Sequence, residues 1–284
     1  MIDPFGTAPA PSAAPPRPPR RGRAIRVAWL ALLAIGSAAV GALIVLTTTS
    51  GGGGTTAAPP TSVPGALSPG KAPAASADPD QSVLRGLVVQ QEDVGATQSV
   101  VLIPGGNLVA GQVTLDLCNG SFPSESTRTA RLQVIEGDAQ GNGALSTEAV
   151  LYQSSKATAK AFDELKQAAA KCPSSLVPGV NGDPAARTTF RSPPDGSWPQ
   201  TPTVDRLAYD FDSTDQSGQT QHTIAVYLRR GRVLLGVYFF APDGAQSPVG
   251  GKTSIPDIVS LLASRLAALP PAMVNRTVPA TTLS

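Results

Sequence analysis

The sequence predicts one N-terminal membrane-spanning helix followed by an extracytoplasmic domain of the α+β class. Three observations predict it. Residues 27–46, VAWLALLAIGSAAVGALIVL, carry no charge over about 20 residues, or roughly 30 Å of helix, the depth of a bilayer's hydrocarbon core. Several runs after residue 100 alternate apolar and polar side chains with the period of a strand. Two further runs set apolar residues three and four apart, as an amphipathic helix does.

The flanks orient the spanning helix. Arg17, Arg20, Arg21, Arg23 and Arg26 precede it, and residues 47–69 hold no Lys or Arg. Positive charge is retained in the cytoplasm, so the N-terminus reads as cytoplasmic and the bulk of the chain as extracytoplasmic, a cell-membrane protein with a single pass. A cleaved secretory signal is the rival reading. The apolar run exceeds an h-region of about 7–15 residues, and TTTSGGGG after it lacks a small-x-small cleavage site, which favours an uncleaved signal-anchor. Residues 1–26 are a disordered Pro- and Ala-rich tail, and residues 47–80 a Thr-, Gly- and Pro-rich linker. From 81 to 270 the pattern is that of one domain, with 271–284 read as a second disordered tail.

The domain opens with 82–95, SVLRGLVVQQEDVG, where Val83, Leu84, Leu87 and Val88 share a helical face. Strands are expected over 111–118, 129–137 and 143–153, the last two joined by a hairpin at QGNG. The clearest helix spans 155–171. Ser154 or Ser155 caps it, Ala161, Phe162, Leu165, Ala168, Ala169 and Cys172 make its buried stripe, and Pro173 stops it. Thr158 would extend that stripe, with its hydroxyl the weaker point. Residues 174–202 form a long irregular excursion. Strands follow over 203–211, 219–230 and 232–241, with a tight turn at Arg230-Gly231. A closing helix spans 254–269, with Ser254 as cap, Pro256 in the first turn, and Ile258, Leu261, Leu262, Leu266 and Leu269 buried.

Charge excludes one class of partner. After residue 80, sixteen Lys and Arg stand against seventeen Asp and Glu. With no basic stripe, nucleic-acid binding has no support. Cys118 and Cys172 are the whole cysteine supply. In an oxidising compartment one disulfide between them is the simplest reading, closing a loop worth roughly 4 kcal/mol. A reactive thiol with His222 as base, or two free thiols, are the alternatives. A metal site lacks ligands, since His222 is the one histidine. His222 shares strand parity with Ile224, Val226 and Leu228, which puts it on an apolar face as a hydrogen-bonded residue. GGKTS at 250–254 sits where a phosphate-binding loop would, but position 246 is Gln rather than the glycine that loop needs. Asp210, Asp212 and Asp215 read as a polar hairpin and not a calcium loop. No nucleophile, base and orienting group assemble, and no cofactor is indicated.

Four segments carry a resemblance. AVLYQSSKATAKAFDELKQAAAKCP, LRGLVVQQEDVG, LCNGSFPSES and LRRGRVLLGVYFF resemble the PknH-like extracellular sensor domain family of actinobacterial kinases and lipoproteins, over roughly 82–270. The resemblance implies a twisted antiparallel sheet with helices packed on it and a cleft for an extracellular ligand. The chain departs from the family in holding one cysteine pair where members often hold two disulfides. Ala168 and Ala169 also stand where an aromatic residue commonly precedes the helix-end cysteine. Residues 1–26 are too short for a kinase domain, so any signal would pass through a membrane protein partner.

The expected function is a membrane-anchored, ligand-binding, sensor-like module without catalytic activity. Its partner is an unidentified cell-envelope ligand or membrane protein. The candidate cleft draws on the 174–202 excursion and on Phe190, Trp198 and His222. A lipid carrier or scaffold, with an apolar cavity between sheet and helices, and an envelope hydrolase are the alternatives.

Overall fold

A computed structural model describes residues 78–138, 142–179 and 184–279. The tail, spanning helix and linker expected over residues 1–80 lie outside the described residues, save 78–80. No described helix is long and apolar enough to cross a membrane.

Seven strands form one sheet: β1 (Gln98–Leu102), β2 (Arg128–Asp138), β3 (Gly143–Tyr152), β4 (Ala186–Phe190), β5 (Asp205–Asp215), β6 (Thr220–Arg230) and β7 (Val233–Phe239). Their order is β1-β2-β3-β7-β6-β5-β4, and every neighbouring pair is antiparallel. Two meanders, β1 to β3 and β4 to β7, therefore join along β3 and β7. Helix α1 (Ser155–Ala170) connects the meanders, and α2 (Ile255–Ala267) and a short α3 (Pro271–Val274) follow β7. The α+β class holds, with an antiparallel sheet.

Both sheet faces are covered. On one, Ala130, Ala149, Leu151, Val226, Leu228, Leu235 and Val237 pack with Ile258, Leu262 and Leu266 of α2. On the other, Val150, Tyr152, Ala225, Tyr227 and Leu234 pack with Ala161, Phe162 and Leu165 of α1. Two covers explain why β6 is buried without interruption from Thr223 to Leu228 instead of alternating with solvent. Ser154 Oγ accepts from the Ala157 amide at 3.2 Å, and Ser254 Oγ from the Asp257 amide at 3.3 Å, so both helices begin at the caps the sequence indicates. Thr158 is buried, and its hydroxyl is satisfied by donating to the Ser154 carbonyl at 3.2 Å.

Four expectations are corrected. The opening segment is two 3₁₀ turns, Gln81–Gly86 and Gln91–Asp93, rather than one helix. Leu84, Leu87 and Val88 are still buried, because the chain leaves the helical path after Gly86 and Val89 donates its amide to Thr147 Oγ at 3.0 Å. Residues 111–118 form no strand. Their backbone groups bond to side chains: Glu125 accepts from the amides of Thr114 and Leu115 at 2.9 and 3.3 Å, and Arg128 donates to the Gln112 carbonyl at 2.5 Å. The alternation there reports burial of Leu115 and Leu117 against the sheet, not strand pairing. The 174–202 excursion contains edge strand β4, and β1 is likewise a short edge strand that the sequence reading passed over. Finally, the domain does not stop at 270: Met273 and Val274 of α3 are buried, and Val278 donates its amide to the Gln153 carbonyl at 2.8 Å.

It does not start at 81 either. Arg232, fully buried, donates Nε to the Tyr152 carbonyl at 2.7 Å and its Nη atoms to Asp78, Asp80 and Thr129. Arg276 reaches the same Asp80 at 3.2 Å. Gly231, φ 56°, makes the turn that aims Arg232 inward, and a Cβ there would strike the Val274 carbonyl. Residues 78–80 and 274–276 thus meet at Arg232 and its partner Asp80. Replacing Asp78 with Ala leaves that buried charge short of its partner and is expected to cost about 3–5 kcal/mol in urea unfolding; a loss below about 1 kcal/mol contradicts the role given to the pair.

Buried carboxyls set a pH dependence. Burial pushes Glu125 up to about 7 from 4.5, against the pull of Arg128, 3.1 Å away. Burial also raises Glu148, although Arg131 and Thr114 bond to it. Glu136 is raised too; it lies beside Ser247, yet neither of its oxygens is in a formed hydrogen bond. A carboxyl raised by folding stabilises fully below its unfolded value and loses that contribution as pH climbs through its folded value, which for Glu125 spans 4.5 to about 7. Asp78 behaves oppositely. Burial alone would raise it, but the bonds from Arg232, Thr129 and the Asp80 amide hold it below 3.8, so its contribution is lost only as pH falls under that value. The domain is expected to gain stability between pH 7 and pH 4.5, and Glu125→Gln to remove up to about 3 kcal/mol of that gain. Parallel slopes for the two proteins in denaturant titrations would contradict this.

Candidate ligand cleft

The sheet face under α1 is not covered to its end. Beyond the helix, toward β4 and β5, a cleft of about 140 Å³ opens. Its floor rises from three strands, with Phe211 and Ser213 from β5, Gln221, Thr223, Ala225 and Tyr227 from β6, and Tyr238 from β7. Register places these side chains together, since Thr188, Ser213 and Gln221 pair across β4, β5 and β6, and Ala225 pairs with Tyr238. Pro184, Ala186 and Thr188 make one wall, and the turn 116–119 makes the other.

That second wall is held by a circuit of contacts. Cys118 and Cys172 form a disulfide with Cα atoms 5.7 Å apart. Cys172 follows the last turn of α1, so the helix anchors the turn. Cys118 and Asn119 both take left-handed backbone conformations, φ 61° and 52°, which non-glycine residues seldom adopt without support. Asn119 Nδ2 donates to the Val177 carbonyl at 3.0 Å, and Val177 bridges Ala186 at the start of β4. The disulfide joins helix to covering turn, not helix to strand as the sequence reading had it, because Cys118 lies in a 3₁₀ turn.

An aromatic ladder crosses the floor. Ring centroids of Tyr227 lie 6.3 Å from Tyr209 and 5.9 Å from Tyr238, both edge to face. Tyr238 lies flat along β7, and a Cβ at Gly236 would come within 2.6 Å of its hydroxyl. Burial drives the phenols of Tyr227 and Tyr238 well above their ordinary value, so both stay neutral hydroxyl donors. Among the cleft's described lining residues Asp116, exposed at the rim, is the one with a charge.

The three cleft residues named from sequence do not come together. Phe190 is nearest: it packs against Phe211 at 5.8 Å, one row outside the cleft. Trp198 belongs to the opposite face, beneath the Arg206 guanidinium at 5.6 Å. His222 also faces that side, as its parity indicates. Its Nε2 and Nδ1 meet Asp210 at 2.7 Å and Asp243 at 2.6 Å. Burial lowers its pKa, but the two carboxylates outweigh burial and hold it above 6.5. Asp212 pairs with Arg191 at 2.9 Å, and Asp215 caps its own hairpin through the Ser217 and Gln219 amides. No group of three or more His, Cys, Asp or Glu suited to a metal ion occurs among the described residues. The true floor residues had a sequence signal that was read too coarsely: Thr223, Ala225 and Tyr227 occupy the second parity of β6, whose apolar first parity already fills a face.

No protein-family model matches the chain. No curated protein matches it either. Solved structures do. The extracellular domain of PknH from Mycobacterium tuberculosis is 11% identical with a TM-score of 0.36, over 66% of this chain and 93% of that one. An uncharacterized protein from Mycobacterium smegmatis is 13% identical with a TM-score of 0.37, over 67% of this chain and 97% of that one. The chain is similar to the PknH extracellular domain.

The disulfide is expected to carry a large share of stability. Cys118→Ser with Cys172→Ser frees a separation of 54 residues, for which the chain-entropy model gives about 4 kcal/mol. Urea unfolding of the double variant measures it; a loss under about 1 kcal/mol contradicts the anchoring described here.

Proposed function

We propose that this chain is a single-pass, membrane-anchored protein that displays an extracytoplasmic ligand-binding, sensor-like module, and that the cleft beside the disulfide-anchored turn is its binding site. The cleft carries this reading: an open concavity where aromatic rings and hydrogen-bonding side chains converge on one end of an otherwise covered sheet. The uncharged run 27–46, with arginines on one flank alone, supports the anchor. The disulfide supports placement in an oxidising compartment.

Binding fits the cleft better than turnover. Among the described lining residues no hydroxyl is set against a base held by a third group, and His222 is on the far face between two carboxylates. The lipid-carrier reading places an apolar cavity between sheet and helices, where side chains such as Leu165 and Tyr227 on one side and Leu262 and Val226 on the other fill the layers. Signal output is assigned to a membrane protein partner.

The test fills the cleft. Ala186 lies on an edge strand and is only half-buried, so Ala186→Trp blocks the opening at little expected cost to folding. A low-molecular-mass fraction of cell envelope is expected to raise the Tm of the full chain and to leave that of Ala186→Trp unchanged. Equal shifts in both proteins, or none in either, contradict the assignment.

A further inference from the structure

We propose that the cleft receives one ring of a neutral saccharide; this rests on the cleft being the binding site and adds the class of ligand. Charge removes the first competitor. Among the described residues no Lys, Arg or His lines the cleft, so a phosphate or carboxylate would meet no cation there. Ring geometry removes the second. A quaternary ammonium is held by the open faces of several rings, whereas Tyr227 and Tyr238 meet at 86° and Tyr227 is 1% exposed, so that pair packs on itself instead of forming a cage.

Hydroxyls then select among neutral ligands. Thr188, Ser213 and Thr223 line the cleft, and among the described residues their side chains make no hydrogen bond. Thr223 is 6% exposed overall, yet its oxygen is not among the enclosed, unpartnered ones, so what solvent it meets reaches it through the cleft. Each hydroxyl can both donate and accept. An apolar ligand would strip water from all three and return nothing, at a cost for each. A sugar ring supplies hydroxyls at similar spacing around its edge, while its C–H face lies on the aromatic floor of Phe211 and Tyr238. A space of about 140 Å³ suits one such ring, with any further units continuing out through the open side.

Saturation-transfer NMR on the full chain in polyoxyethylene micelles tests this, with maltose, N,N′-diacetylchitobiose and choline as probes, and 31P line broadening reads inorganic phosphate. A neutral disaccharide is expected to bind, and Ser213→Ala with Thr223→Val to raise its Kd at least about tenfold by removing two hydrogen-bonding groups with little change of shape. Should that variant lose its fold by circular dichroism, Ala186→Trp takes its place, and the sugar signal must disappear. The proposal is overturned if neither disaccharide binds, or if their binding survives both changes. Choline or phosphate bound in a manner that Ala186→Trp abolishes would overturn the saccharide class and leave the cleft standing as a site. If envelope extract also leaves the Tm of the unaltered chain where it was, the site itself falls.

Discussion

Residues 103–127 cover one end of the sheet without forming a strand of their own, and the Cys118–Cys172 bond is the one covalent tie that holds them there. Everything proposed for the cleft depends on that tie. Two consecutive residues in left-handed conformations, neither of them glycine, are a local arrangement that a free chain would leave. The bond to the end of α1 and the Asn119 side chain's bond to Val177 keep them in place. The wall so formed stands off the sheet far enough to leave Tyr238, Thr223 and Ser213 reachable.

Polar interactions hold the rest of the covering segment. Arg128 and Arg131 rise from β2 and donate to carbonyls of Val109, Gln112 and Gly105, while Glu125 and Glu148 receive amide and hydroxyl protons from Thr114 and Leu115. An irregular segment buried against a sheet must satisfy its backbone groups somewhere, and here charged side chains meet that need. The same logic closes the domain at its opposite end. Arg232 gathers Asp78, Asp80 and the Tyr152 carbonyl, and Arg276 pairs with the same Asp80, so a guanidinium that would be ruinous alone ties residues 78–80 to the sheet beside 276. Burial raises the carboxyls on the covered face, and ion pairing lowers Asp78. These groups favour the folded state most on the mildly acidic side of neutrality.

The long elements were legible in the sequence. β2, β3, β5, β6, β7, α1 and α2 are each announced by apolar periodicity, and Ser154 and Ser254 mark where the helices start. What periodicity could not distinguish was burial from pairing. Leu115 and Leu117 alternate like a strand because they pack on one, although their own backbone bonds go to Glu125 and Arg128. The edge strands β1 and β4 are short and largely exposed, with burial too weak to leave a pattern. The Arg232 closure joins residues about 150 positions apart through charge, to which hydropathy is blind. The cysteine pair was legible, and so was His222 as a bonded structural residue. The cleft was half-legible: the excursion supplies a wall through Ala186 and Thr188, but Phe190, Trp198 and His222 were chosen for chemical type, and sheet parity scatters them over two faces.

The central claim is that the disulfide positions the turn that makes the cleft. Amide hydrogen exchange on the oxidised and the reduced protein tests it most directly, since the amides of Asn119 and Gly120 are bonded inside that turn to the carbonyls of Asp116 and Leu117, at 2.8 and 3.1 Å. Reduction is predicted to release those two amides to fast exchange while β6 and β7 keep their protection. Unchanged protection at Asn119 and Gly120 after complete reduction would contradict the account.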